Sequence, residues 1–357
     1  MKREILLYAN SDSSSDMLYF AQSFIPDDFF AFTQNGERCA ILSPLEIGRA
    51  RKESAFSRIY EYADEREIFN ELGLKKFLVP RNFPAFMLEK LRRAKFDIVV
   101  ADGEIFPERV FKDERQAAEI RKANMVSAKC YALIRKILAN SSVDKKGALI
   151  WNGQPLTSEI LRRETDLECM KNNALAKSTI IAAGNQACDP HCIGYGKIYA
   201  NTPIVADIFP RLNSSGYFGD MTRTFVKGKP TDDQKKIYQT VKDAHDAVLD
   251  TLHNGVAANK AHFKVVEIFE KAGFKTYCKN GSWYGFFHST GHGVGLDIHE
   301  APRLSTGANI LKTAMVVTDE PGLYYKNVGA CRIEDCVRIT ENGCELLSNF
   351  DYIQQVD

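Results

Sequence analysis

Residues 288–302 read HSTGHGVGLDIHEAP, a run that sets His288, His292 and His299, three of the chain's seven histidines, among repeated glycines. One histidine alone is most often a hydrogen-bonded structural residue, but three beside glycines, which let backbone or ligand approach closely, point to a site. Gly291-His292-Gly293-Val294-Gly295 lacks both the GxGxxG spacing and a strand-to-helix setting, so the glycines do not read as a phosphate cradle. Carboxylates join the cluster from both sides. Asp207 follows the apolar run Pro203-Ile204-Val205-Ala206 and Asp220 closes Gly216-Tyr217-Phe218-Gly219, with a polar, turn-rich stretch from Arg211 to Ser215 between them. That pattern places the two aspartates on neighbouring antiparallel strands with converging side chains. Downstream, Glu320 stands between Thr318-Asp319 and Pro321-Gly322, and Glu334 lies in Arg332-Ile333-Glu334-Asp335. Taken singly, each carboxylate reads as a solvated strand end or an ion-pair partner. Together with one imidazole they form a hard, oxygen-rich donor set suited to Mn, Co or Zn, and their surplus negative charge is what two adjacent cations neutralise.

Around this core the chain organises into two parts, as its 357 residues lead one to expect. In the first hundred residues strand-like and helix-like runs alternate. Phe29–Phe32 and Cys39–Leu42 flank Asn35-Gly36, a tight-hairpin signal, and Phe77–Val79, Met87–Leu91 and Asp97–Val100 read as strand, helix, strand. This is a small α/β domain on a mixed sheet, taken as residues 1–115. From Asp113 a helical period takes over, with Ile120, Ala123, Ser127, Cys130, Ile134 and Ile137 on one face. Further helices are expected from about Ser158 to Met170, from Thr231, which forms a capping box with Gln234, and around Val265–Phe269. Short strand-like runs between and after them bear every chemically interesting residue, so residues 116–357 are expected to form a helix-backed antiparallel sheet with a polar open face.

Composition narrows the partners. Forty-seven basic against 46 acidic residues give a formal charge of +1, and no basic stripe interleaves with aromatics, so neither nucleic acid nor a membrane surface is supported as a partner. No run approaches the ~20 apolar residues of a bilayer span, and Ile5–Ala9 is too brief for a secretory leader. Nine scattered cysteines without a CxxC pair fit reduced thiols, and a cytoplasmic location is expected. Cys188 and Cys192 read as packing residues.

Four strings, GYFGDMTRTF, HSTGHGVGLDIHEAP, TDEPGLYY and CRIEDCVRIT, resemble, in order and separation, those of the pita-bread metallopeptidases, the family of methionine aminopeptidase, prolidase and aminopeptidase P. The front of the chain, with Asp16-Met17-Leu18-Tyr19 and its hairpin, is similar to the creatinase-type N-terminal domain of the proline-specific members. The resemblance implies an α+β fold: a pita-bread catalytic domain of helices backing a curved antiparallel sheet, preceded by a smaller α/β domain. It also implies two divalent metal ions, Mn or Co first and Zn as a third candidate. By the family pattern Asp207 ligates one metal, Asp220 and Glu334 bridge both, and His292 and Glu320 ligate the second, with Glu320 also moving the proton of the attacking water. His191 and His299 correspond to histidines that bond the substrate carbonyl and tetrahedral intermediate, His288 to one lining the proline pocket, and Arg332 and Tyr324 to residues that orient Asp207. Arg303 is similar to an arginine that reads a dipeptide's carboxylate in some prolidases.

The chain departs from the pattern in a slightly longer Asp207–Asp220 interval, which a turn can absorb, in Ile208-Phe209-Pro210, and in Cys331 before Arg332. The expected activity is hydrolysis of the bond between an N-terminal residue and proline in short peptides. The alternatives are a binding module of the same fold without catalysis, and an aminopeptidase without strict proline specificity. A non-metal hydrolase like creatinase would lack several of these ligands, and methionine aminopeptidase lacks so large a front domain. Substrate length and a homodimeric state stay open.

Overall fold

In the computed structural model, which describes residues 3–357, the hairpin forms around Asn35 and Gly36, whose φ angles of 52° and 87° supply the positive pair a two-residue turn requires. It belongs to a unit ending at Arg109. Strands β1 (Glu4–Ala9), β2 (Phe29–Gln34), β3 (Glu37–Leu42), β4 (Arg58–Glu61), β5 (Lys76–Val79) and β6 (Asp97–Val100) form one sheet in the order β4-β3-β2-β1-β5-β6. The sheet is mixed: β1–β2–β3 are antiparallel, while β3–β4 and β1–β5–β6 pair in parallel. Side chains alternate across it, so Leu6, Phe30, Phe32 and Ile41 meet helices α3 (Glu65–Glu71) and α4 (Ala85–Arg93) through Phe69, Met87 and Leu91. Leu7, Ala31, Ala40 and Leu42 meet α1 (Ser15–Ala21) and α2 (Pro44–Glu53) on the other face, through Met17, Phe20 and Ala50.

The second unit begins at Val110. Residues just ahead of the long helix already belong to it, because Phe111 bridges Met315 and the Lys112 N–H donates to the Ala314 carbonyl. Asp113 caps α5 (Glu114–Ala139) in a reciprocal box with Gln116, and Thr231 caps α7 (Asp232–Thr251) in the same way with Gln234. Between them lies α6 (Ser158–Lys171), and α8 is Ala258–Lys271. The last is longer than its apolar pattern predicts: its first turns bury only the small Ala258 and Ala261, which carry little periodic signal.

Strands β7 (Ile180–Ala183), β8 (Pro203–Ile208), β9 (Met221–Lys227), β10 (Gly291–Gly293), β11 (Glu300–Leu304), β12 (Val316–Asp319), β13 (Gly322–Tyr325), β14 (Gly329–Arg332), β15 (Asp335–Ile339), β16 (Cys344–Leu346) and β17 (Gln355–Val356) build the sheets that carry the site, beside a few shorter strands at the periphery. One sheet runs β7-β8-β9-β17, another β11-β10-β12-β15-β16, and β13 pairs with β14. All these pairings are antiparallel except β9 with β17. Helices α5 and α6 cover the first sheet through Ile134, Ile137, Leu161, Ile204 and Phe225, and α7 and α8 cover the second through Val241, Val248, Val265, Phe269, Val317 and Val337. Each such buried aliphatic contributes roughly 1.5–3 kcal/mol. The two sheets meet where Thr222 of β9 bridges Glu334, between β14 and β15. No helix among the described residues is long and apolar enough to cross a membrane.

Candidate active site

Strand register places the first carboxylates. Asp207 of β8 pairs with Thr222 of β9, and Asp220 precedes Thr222 by two positions, so the alternation of side chains turns all three to one face. The Asp220 N–H donates to Asn124 Oδ1 at 2.9 Å. Helix α5 passes so close there that a Cβ at Gly219 would lie 2.6 Å from the Asn124 nitrogen.

His292 sits at the middle of β10 with a glycine on either side. A Cβ at Gly291 would meet the Thr318 carbonyl oxygen at 1.9 Å, and one at Gly293 the Ala301 oxygen at 2.1 Å; the flanking strands leave no space for any other residue. The His292 Nδ1 faces the Gly293 carbonyl at 3.1 Å. A carbonyl only accepts, so the proton is on Nδ1 and the Nε2 lone pair is free. That atom lies 3.5 Å from Asp220 Oδ2 and 3.7 Å from Glu320 Oε1, and ligand atoms of Asp220, His292 and Glu334 all fall within 4.8 Å of one another. Burial, reinforced by the charges of His299 and Arg303, lowers the His292 pKa to about 3 and keeps the ring a neutral donor.

Glu320 leaves the end of β12 with its N–H on the Thr290 carbonyl at 2.7 Å. Glu334 Oε2 accepts from the Thr222 hydroxyl at 2.7 Å. Arg332 braces the group: its guanidinium donates to Asp207 Oδ2 at 2.6 Å, to the Tyr324 hydroxyl at 3.0 Å and to the Thr222 hydroxyl at 3.2 Å. The Tyr324 oxygen lies 2.9 Å from His288 Nε2, and His288 Nδ1 lies 2.7 Å from the Ser289 carbonyl. By the same logic Nδ1 donates, and Nε2 accepts the phenolic proton. Burial, with the nearby Arg332 charge, holds His288 neutral with a pKa of about 3. Both nitrogens of His288 are therefore engaged, and the ring offers the cavity a surface rather than a proton.

The charge on this group is out of balance. Burial, together with Asp207 and Glu320, pushes Asp220 well above the usual carboxylate range, and burial with Asp220, Glu320 and Asp207 does the same to Glu334. Glu320 rises to about 8 through burial and Asp207, against the opposing field of Arg332. Asp207 Oδ1 is buried without a hydrogen-bond partner. An orphaned buried oxygen among crowded carboxylates is a site that lacks positive charge, and the donor set fits divalent cations of the Mn, Co and Zn kind.

All five of these groups line one cavity of about 530 Å³, together with His191, His288, His299, Arg303 and Arg332. Tyr324 is fully buried and reaches the site through its hydroxyl. His191 and His299 are exposed residues, and the His299 ring meets that of His292 edge-on with centroids 4.4 Å apart. Arg303 of β11 is the register partner of His292, so its side chain leaves the same sheet face. Apolar wall comes from Ile180, Phe209, Phe287 and Ile298.

Sequence reading passed over Thr222 and Asn124. A period of two through Asp220, Thr222 and Thr224 was there to be seen in GDMTRTF, and Thr224 indeed donates to the Arg332 carbonyl at 2.9 Å. Asn124, fully buried on the apolar face of α5, is the kind of polar residue that demands a partner.

The sequence profile of metallopeptidase family M24 matches residues 118–341. The Xaa-Pro dipeptidase of Pyrococcus furiosus is 31% identical over 329 residues, covering 88% of this chain and 85% of that protein. Among solved structures, the prolidase of Pyrococcus horikoshii superposes with a TM-score of 0.81 at 25% identity, covering 98% of this chain and 94% of that one. An X-Pro aminopeptidase from Thermotoga maritima superposes at 0.85 with 22% identity, covering 99% and 97%, a likeness of fold.

Proposed function

The chain belongs to metallopeptidase family M24, with that family's α+β pita-bread fold, and on this premise we propose that it is a dinuclear-metal Xaa-Pro dipeptidase. One observation carries the reading: His292 and Arg303 are register partners on one sheet face, so the crowded donor group and a guanidinium share one cavity. Asp207 would hold one cation, Asp220 and Glu334 would bridge two, and His292 and Glu320 would hold the second, Mn or Co in preference to Zn. Cations held there would supply Lewis-acid chemistry, polarising the scissile carbonyl and acidifying water.

The chain's own residues do the rest. Glu320 takes a proton on its carboxylate from the attacking water and returns it to the proline nitrogen as that bond breaks. His191 and His299, on the cavity wall, donate to the oxygen on which charge develops. Arg303 pairs with the carboxylate that directly follows the proline ring, a bidentate bond that a neutral amide at that place does not reward. Ile180, Phe209, Phe287 and Ile298 give the ring an apolar surface, and His288 adds its face. The scattered cysteines support a reducing, cytoplasmic setting.

The test is to strip metal from the protein with a chelator, restore Mn, Co or Mg, and compare an Xaa-Pro dipeptide, an Xaa-Pro-Xaa tripeptide and an Xaa-Ala dipeptide. Activity is expected only after metal is returned, better with Mn or Co than with Mg, which keeps its waters, and greatest on the Xaa-Pro dipeptide. Full activity of metal-free protein ends the metal reading. Equal turnover of the tripeptide ends the dipeptidase reading and leaves an aminopeptidase.

A further inference from the structure

On the side of the second sheet away from the cavity lies a buried charge cluster that the proposed chemistry does not use. Asp319 and Asp335 are directly opposed on the antiparallel pair β12–β15, and both are essentially inaccessible, at 0% and 1% exposure. Two like groups facing each other across a ladder repel, and burial worsens it. Asp335 is well supplied: Arg223 donates to one oxygen at 2.9 Å and the Tyr352 hydroxyl to the other at 2.8 Å. Asp319 accepts no hydrogen bond on either oxygen. What faces both is His245 of α7, itself 0% exposed, with Nε2 at 3.0 Å from Asp335 and 3.8 Å from Asp319. Its Nδ1 side turns toward Asp246, 3.6 Å away and already paired with Lys242.

The register gives this cluster a bearing on the cavity. Asp319 and Asp335 are the last rung of the β12–β15 ladder, and the next residues out, Glu320 and Glu334, line the cavity instead. The rung thus sets the distance between the two strand ends from which those glutamates leave.

We propose that His245 is a positioning residue: by spanning Asp319 and Asp335 it fixes the separation of the strand ends that carry Glu320 and Glu334, and so tunes the metal site from the opposite face of the sheet. The proposal rests on reading those glutamates as metal ligands. It assigns His245 no contact with substrate. Its requirement for His245 is conditional on Asp319, because Asp319 is the group left without compensation when the imidazole is gone.

Full-length, metal-stripped protein titrated with Co²⁺, followed by visible absorption for geometry and by calorimetry for affinity, tests this. Wild type is expected to bind. His245→Gln is expected to bind about 10-fold or more weakly, the range seen when groups behind metal ligands are changed, and with an altered Co²⁺ spectrum. Adding Asp319→Asn to His245→Gln is expected to return both readouts to near the wild-type values. Should His245→Gln alone fail to fold, the double variant is expected to fold and to bind as wild type does. A folded His245→Gln with wild-type affinity and spectrum overturns the proposal alone, as does a double variant that recovers nothing. No Co²⁺ binding by wild type overturns the metal reading and this proposal with it.

Discussion

Binding of Mn²⁺ to the metal-free protein at pH 7 is expected to release between about one and three protons, and the carboxylates say why. Burial and Asp207 push Glu320 up to about 8 against the field of Arg332, so most of it carries a proton at pH 7. Burial and the neighbouring carboxylates, Asp207 and Glu320 for both, hold Asp220 and Glu334 well above their usual range. His292 adds nothing, since its ring is already neutral, with a pKa of about 3. A cation must displace whatever protons these groups hold. From Glu320 alone, apparent affinity should therefore rise about tenfold per pH unit from about pH 6 to 7 and less steeply toward pH 8, with the slope equal to the number of protons released; any protons held by Asp220 and Glu334 steepen it. Calorimetry in two buffers of different ionisation enthalpy counts those protons directly. Stability should move with them. In the folded, metal-free state Glu320 keeps a proton that the unfolded chain has lost above its ordinary pKa, so the unfolded state binds fewer protons and stability falls as pH rises from about 4.5 to 8. Mn²⁺ cancels that loss, and its Tm gain should be larger at pH 8 than at pH 5.5. Identical heats in both buffers, with a Tm gain indifferent to pH, would refute the argument that these carboxylates hold protons until a cation replaces them.

Four substitutions probe separate parts of the site. Glu320→Gln should lower kcat by several orders of magnitude in a protein that remains folded by circular dichroism, because a charged donor and a proton carrier go together. His299→Ala should lower kcat roughly a hundredfold, as loss of one donor to developing charge; kcat near wild type for either variant rejects its role. Arg303→Ala should raise KM for an Xaa-Pro dipeptide by the ~1.5–3 kcal/mol of a charge-assisted bond while sparing a tripeptide, and equal losses on both substrates reject the carboxylate contact. Gly291→Ala, which sets a methyl 1.9 Å from the Thr318 backbone oxygen, should abolish soluble expression or sharply lower Tm, and a wild-type Tm would show that the strands can part.

Much of this could be read before any coordinates. The capping box at Thr231 and the Asn35-Gly36 turn are local, each contained within four residues, and local signals survive translation from sequence to structure; the matching box of Asp113 with Gln116 is as local and went unread. The cavity is not local: its lining runs from Ile180 to Glu334, and it was legible because strand alternation confines each donor to one of two faces. The extent of α8 was less legible, since Ala258 and Ala261 are buried without being markedly apolar. So was His288, which the family resemblance set against a proline pocket; its hydrogen bond to Tyr324 depends on a strand thirty-six residues downstream.

The acidic pairs Asp319-Glu320 and Glu334-Asp335 show where such reading stops. In the sequence each is two adjacent carboxylates, and nothing in the pair says which member serves the site. In a strand, adjacent side chains point to opposite faces, so one member of each pair must face α7 if the other faces the cavity. Once the register opposes Asp319 to Asp335, burial requires something between them, and the sequence holds that group far away at His245, inside a helix whose adjoining buried residues, Val241, Ala244 and Val248, are apolar. A buried polar residue on a helix that also buries Gln234 and Thr240 is weak evidence by itself. It becomes evidence of design only when the sheet beneath is known to present two carboxyls to it, which is why substitution at His245 is most informative when made together with Asp319.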